Sequence, residues 1–184
     1  MTSSKPDITI NACGILPMSK FNNTIYVLCG REQIINGWEG SGKWCGFGGH
    51  KEQNETNRRC AARECYEETM GFIGTQNELF SQLNTKHQNF IGTMQSGTYM
   101  CYYIMIPYDE KLPEIYRNVY KYMEQCDAIS TNTLSNGCFE KPFVRWYKLS
   151  ELLKYANNPS SYTKKTFRDG FLSMLVRFLE NNNL

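Results

Sequence analysis

No Cys-x-x-Cys pair occurs in this chain, although it carries eight cysteines. That absence argues against the usual zinc and thioredoxin-like redox spacings. No apolar run approaches the roughly 20 residues that span a membrane. The opening MTSSKPDIT lacks the apolar stretch of a secretory leader. Neither sign of charge dominates, and a net charge of +2 is too small to argue by itself for nucleic acid or a membrane surface. There is no internal repeat and no linker. What is present is a 184-residue chain, 41% apolar and 14% aromatic, long enough for a single domain with a real core. Several of the cysteines (Cys13, Cys29, Cys45, Cys60, Cys65, Cys101, Cys126 and Cys138) lie in apolar contexts. They read as reduced thiols of an intracellular, cytoplasmic protein.

Residues 8–17 and 24–31 read as strands joined by a turn at Lys20-Phe21-Asn22-Asn23. A short aromatic segment, Lys43 to Phe47, leads into Gly48-Gly49. A helix follows, capped at Asn54 or Thr56, running to about Thr69 and stopped by Gly71. Its apolar face is Ala61, Ala62, Cys65 and Thr69. Residues 98–107 and 143–149 read as later strands. The connection between them, 108–138, is long, with a helix over 112–125 and a polar, mobile stretch at 130–137. A helical stripe runs through Phe167, Phe171, Leu175, Phe178 and Leu179. The mixture argues for an α+β domain layered as an α/β/α sandwich.

One helix face breaks the ordinary rules. At about 100° per residue, Glu64, Glu67 and Glu68 fall at i, i+3 and i+4, where like charges repel. Folding gains nothing from that, whereas Mg²⁺ or Mn²⁺ requires a set of hard oxygen ligands. The alternative is a solvated helix face, the usual meaning of a charge run. Against it stands the spacing: Gly49, five residues, Glu55, seven residues, Arg63-Glu64, two residues, Glu67-Glu68.

That spacing resembles the Nudix hydrolase signature, G-x5-E-x7-R-E-U-x-E-E-x-G-U with U aliphatic, at every charged position. Three departures stand out: Gly71 comes one residue late, Cys65 replaces the aliphatic residue, and Asn54 stands where many members have glycine. The segment Gly42-Lys43-Trp44-Cys45-Gly46-Phe47-Gly48-Gly49 is similar to that of MutT-like enzymes, especially the oxidised-purine nucleoside triphosphatases of animals. Val144 to Leu149 is similar to the family's tryptophan-bearing strand, and residues 108–138 look like an insertion within a single domain spanning 1–184.

The resemblance implies hydrolysis of a pyrophosphate linkage in a nucleoside di- or triphosphate derivative. Mg²⁺ or Mn²⁺ would be held by Glu64, Glu67, Glu68 and the Gly49 carbonyl. Arg63 would orient Glu67, and Glu55 would pair near the helix start. The proton acceptor stays open between Glu64 and Glu68, shared with a carboxylate from another loop. Gly48 and Gly49 would meet the substrate, and Trp38, in a loop, is the candidate for stacking on a base. A MutT-like nucleoside triphosphate pyrophosphohydrolase is the leading expectation. The paired aspartates that read an oxidised purine have no counterpart at Asn158-Pro159-Ser160-Ser161, so that selectivity is not implied. Dinucleoside polyphosphates, nucleotide sugars and capped RNA ends stay open as substrates, and a non-catalytic RNA-binding module is the alternative from another class. Oligomeric state is not legible.

Overall fold

The computed structural model describes residues 9–126, 139–158 and 161–182. The strands are β1 (Ala12–Phe21), β2 (Thr24–Arg31), β3 (Trp44–Cys45), β4 (Phe47–His50), β5 (Phe90–Ser96), β6 (Tyr99–Met105) and β7 (Phe143–Lys148). The helices are α1 (Asn57–Glu68), α2 (Gln76–Gln82), α3 (Leu112–Gln125), α4 (Leu149–Asn157), α5 (Ser161–Thr166) and α6 (Phe171–Asn182). The sheet runs β3-β2-β1-β6-β5, with β4 also paired to β1 and β7 to β2. Every pairing is antiparallel except β1 with β6, which is parallel from Ala12↔Tyr99 to Met18↔Met105.

Two apolar layers cover the sheet. One gathers Ile15, Leu28, Phe47 and Ile104 with Cys60, Ala61, Ala62 and Cys65 of α1, Leu79 of α2 and Tyr116 of α3. The other gathers Leu16, Val27, Tyr103 and Tyr147 with Leu152 of α4 and Phe171, Leu175, Phe178 and Leu179 of α6. Alternation along β1 produces this division, since successive side chains point to opposite faces. The result is the expected α/β/α sandwich. No described helix is long and apolar enough to cross a membrane. Among the described residues, Cys13, Cys29, Cys45, Cys60, Cys65, Cys101 and Cys126 are free thiols; Cys138 lies outside them.

Several boundaries moved. β1 begins at Ala12 and runs through Phe21, because the reversal needs only Asn22 and Asn23, both at positive φ (47° and 58°). Asparagine tolerates that conformation, which suits a two-residue hairpin. Thr56, not Asn54, caps α1 by accepting from the Arg59 amide at 3.3 Å. At the far end Thr69 is the C-cap, and Met70 and Gly71 follow at φ 51° and 71°. The late glycine is thereby absorbed: the extra residue, Met70, takes a left-handed turn after the last glutamate. The C-terminal stripe is split between Phe167, which follows α5, and α6, and its members are buried. The expected polar stretch at 130–137, and Pro159 and Ser160, lie outside the described residues. Three elements were not read from the sequence, although α2 opens on a Thr75-x-x-Glu78 capping box. Helix α2 is polar with only Leu79 buried, β5 is an edge strand irregular between Phe90 and Gly92, and α4 follows β7 without a loop.

Candidate active site

Pairing of β4 with β1 sets Gly48 opposite Gly14 and Gly49 opposite Cys13. A Cβ on Gly48 would lie 2.5 Å from the Gly14 Cα, and one on Gly49 2.5 Å from Glu64 Oε2. Only glycine lets α1 press its glutamates against this strand. The apolar face, Cys60, Ala61, Ala62 and Cys65, seats the helix on the sheet and is fully buried.

Arg63 organises the exposed side of α1. Its Nε and Nη2 donate to the two oxygens of Glu55, each at 3.0 Å, a bidentate fork. Nη2 also donates to the His50 carbonyl at 2.9 Å. Nη1 reaches Glu67 Oε2 at 3.0 Å and Glu64 Oε1 at 2.9 Å. Burial works against the Arg63 cation, but Glu55 and Glu64 outweigh it and its pKa rises. Burial raises the carboxyls of both Glu64 and Glu67, against the pull of Arg63. Glu55 is pulled the other way: burial opposes ionisation, but the Arg63 fork and the Glu52 amide win and its pKa falls. The Gly49 carbonyl receives a weak S–H contact from Cys60 at 3.6 Å.

Glu68 departs from the expected common face. It is 2% exposed. Its Oε2 accepts from the Gly48 amide at 2.7 Å and its Oε1 lies 3.1 Å from Lys141 Nζ. Lys141 also meets Glu32 Oε1 at 2.6 Å and Cys45 Sγ at 3.4 Å, and Arg168 meets Glu32 at 3.1 Å. The three box glutamates therefore diverge, two toward Arg63 and one inward. Among the described residues no group of three or more His, Cys, Asp or Glu side chains converges on one metal position. The oxygen donors of the kind a hard cation takes are those of Glu64, Glu67, Glu68 and the Gly49 carbonyl, and here Glu68 is held by Gly48 and Lys141. Glu64 and Glu67 share a single nitrogen of Arg63, and with the exposed Glu52 at 3.9 Å the carboxylates around Arg63 outnumber its one positive charge.

Sequence reasoning missed Glu32, Lys141 and Glu140. Glu140 precedes β7, and burial raises its carboxyl, with Lys141 opposing and Glu32 and Glu67 adding to the rise. Its charge also bears on Glu64 and Glu68. The acidic-basic pair Glu140-Lys141 ahead of the tryptophan strand was the one available signal. Trp38 is 39% exposed, and the Arg168 guanidinium lies 5.5 Å from its ring. Arg168 and Asp169 border a cavity of about 300 Å³ that Cys45, Gly48, Tyr99 and Phe171 also line. Trp146 is packed, donating through Nε1 to the Asp109 carbonyl at 2.8 Å. His50 is exposed and enters the cluster only through its carbonyl.

The model of the NUDIX domain family matches residues 11–166. The chain belongs to the Nudix family. Its enzyme class is that of a Nudix pyrophosphohydrolase, and Nudix hydrolases generally use divalent metal ions. Solved structures of similar fold include the Nudix domain of Shewanella oneidensis NrtR complexed with ADP ribose, at 12% identity and TM-score 0.50 over 99% of this chain and 95% of that one. A C. elegans Ap4A hydrolase binary complex aligns at 14% identity and TM-score 0.49, over 94% and 99%. The MutT protein of Methanosarcina mazei Go1 aligns at 17% and 0.47, over 98% and 100%. At 12% identity the first of these speaks for the fold alone and not for a substrate. No curated protein matches the chain in sequence.

Proposed function

We propose that this Nudix chain, one domain carrying α3 as an insertion, hydrolyses a pyrophosphate linkage in a nucleoside di- or triphosphate derivative with Mg²⁺ (or Mn²⁺). A nucleoside triphosphate is the leading substrate. The observation that carries the reading is the Arg63 fork, which fixes Glu55 and holds Glu64 and Glu67 on one guanidinium nitrogen beside Gly48-Gly49. Cleavage of a phosphoanhydride needs charge neutralisation and an in-line water more than a covalent nucleophile. Glu64, Glu67, Glu68 and the Gly49 carbonyl are the residues that would hold the ion. When bound it supplies charge neutralisation at the pyrophosphate oxygens and a more acidic water. Arg63 keeps the two carboxylates oriented as their environment changes. Glu64, or Glu140 from the loop ahead of β7, accepts the proton of the attacking water; burial raises both carboxyls, which makes each a stronger base than an exposed glutamate. The nucleoside seats in the cavity bordered by Gly48, Arg168 and Asp169, with Trp38 beyond Arg168 at its rim.

The test is a panel of nucleoside triphosphates, dinucleoside polyphosphates, nucleotide sugars and capped RNA, incubated with the purified chain and Mg²⁺. Release of phosphate, pyrophosphate or a nucleotide from at least one member, lost in Glu64→Gln and Glu67→Gln, is expected. Absence of Mg²⁺-dependent turnover on every member overturns the reading.

A further inference from the structure

Phe143, the first residue of β7, carries two guanidiniums. Arg117 of α3 lies 4.2 Å from the ring centre, and Arg31, its partner across the β2–β7 pairing, lies 5.8 Å from it. Arg117 is also 5.5 Å from the Tyr120 ring, and Lys121, one turn along α3, is exposed. Each arginine spends an N–H on the backbone: Arg31 Nε donates to the Gly42 carbonyl at 2.9 Å and Arg117 Nη1 to the Pro142 carbonyl at 3.3 Å. Neither forms an ion pair with a carboxylate among the described residues, whereas Arg63, Arg145 and Arg168 all do. A guanidinium has five donors, so both are fixed in place with charge and donors to spare. The patch adjoins the proposed site at two points. From α3, the Tyr116 hydroxyl lies 2.9 Å from the Glu68 carbonyl and 2.7 Å from the Lys141 carbonyl, which fastens α3 to the end of α1. Gly42, which Arg31 holds, belongs to the loop whose Trp38 and Lys43 line a smaller cavity with Arg168 and Asp169.

We propose that Arg31, Arg117 and Phe143 bind the sugar-phosphate chain of a single-stranded RNA whose 5′-terminal phosphates occupy the proposed active site. The nucleoside derivative cleaved here is then the end of an RNA. This rests on the pyrophosphohydrolase reading above. Two observations carry it. Unpaired cations interleaved with aromatic rings are the combination that tracks a single strand, and the planar fork of arginine suits phosphate. The patch is also superfluous for a free nucleotide. The cavity at Gly48 and Arg168, about 300 Å³, is of the size that takes one small ligand. A nucleoside seated there leaves the patch unused, whereas a chain continuing past Gly42 meets Arg31 first and Arg117 next. The patch is local, which agrees with a net charge of only +2: it meets a few phosphates and not a long duplex. Arg117 comes from α3, read above as an insertion, so the contact is an addition to the fold and not part of the box.

The experiment is binding of a single-stranded RNA of about ten nucleotides, triphosphorylated at its 5′ end and labelled with fluorescein at its 3′ end. Fluorescence anisotropy reads it on the full chain in EDTA, where nothing is turned over, across a range of KCl. The unmodified chain binds. Arg31→Gln and Arg117→Gln each weaken binding about fivefold or more and lower the salt slope by about 0.7, one phosphate contact on a single strand. Lys154→Gln, at an exposed lysine of α4 in the opposite layer, stays within about twofold. Arg31→Gln and the charge-keeping Arg117→Lys, which retains the slope, carry the test independently of any loss of fold in Arg117→Gln. Absence of RNA binding, binding that the two glutamine variants leave unchanged, or an equal loss in Lys154→Gln overturns the proposal. Mg²⁺-dependent turnover of a free nucleoside triphosphate by a chain that does not bind the RNA removes this proposal alone and leaves the hydrolase reading standing. RNA binding through both arginines, without Mg²⁺-dependent release from the RNA end or from any nucleotide, overturns the hydrolase reading and with it the RNA as substrate.

Discussion

Helix α1 carries two sets of ion pairs within one turn of each other, and they are built on opposite plans. The outer set gathers Glu55, Glu64 and Glu67 on Arg63, with more carboxylate than cation. The inner set joins Glu68 and Glu32 to Lys141 and Arg168, balanced in charge and, at Lys141, closed to water. The outer set has charge to give a ligand. The inner set has none, and it serves to fix the strand, the helix and the loop ahead of β7 in one arrangement. Excess charge beside a glycine strand fits the chemistry proposed for it, and compensated charge fits a role in holding geometry.

The largest effect that would break this contrast is on stability. Lys141→Met leaves the buried Glu68 without its cation and Glu32 with Arg168 alone, and should cost about 3–5 kcal/mol, measured as a lower urea midpoint without metal. An exposed-type loss below about 1 kcal/mol would show that the inner set is not closed. Next comes catalysis: Glu67→Gln removes charge from the outer set and should lower turnover about 10–100-fold at fixed Mg²⁺, with the metal-free urea midpoint nearly unchanged. Tyr116→Phe should cost about 1–2 kcal/mol, because two buried carbonyls share one hydroxyl donor that phenylalanine lacks. It sharpens the comparison by loosening the inner set alone.

The smallest effect is in the pH dependence. The Glu55 carboxyl lies below its usual 4.5 in the folded chain, held by Arg63 after burial is overcome. Its contribution is therefore present above about pH 4.5 and is lost as pH falls through the lower, folded value. In unfolding midpoints taken across that window without metal, Glu55→Gln should flatten the acid decline by less than about 1 kcal/mol. An unchanged decline would mean that the Arg63 fork does not hold the ionised form.

These two sets were unequally legible in the sequence. The outer one was written within a short span, because Arg63, Glu64 and Glu67 are helical neighbours and Glu55 stands at the helix entry. Helical spacing placed Glu68 with them, and spacing was not enough. What turns its carboxylate inward is Lys141, on a loop far along the chain, along with Glu32 and Arg168 from two other segments. Such partners share no periodicity and are brought together only by the sheet. The same holds for Glu140. Of the fold, the box helix, the β1–β2 hairpin and the apolar C-terminal helix followed from local pattern. The short polar α2, the irregular edge strand β5, and α4, which continues straight from β7, gave pattern too little length or contrast to work on.

The one parallel pairing in the sheet has a kinetic meaning. Strand β1 meets β6 from Ala12↔Tyr99 to Met18↔Met105, and everything between them, including α1 and both glycines before it, lies inside the loop this pairing closes. Long loops lose entropy before their contacts return it, and non-local strand pairing is slow to form. The hairpin of β1 and β2 can form early, but the glutamate helix has no finished surface to rest on until β6 arrives. Recovery of activity on refolding should therefore follow the slowest structural phase, and a chain cut before Tyr99 should recover none.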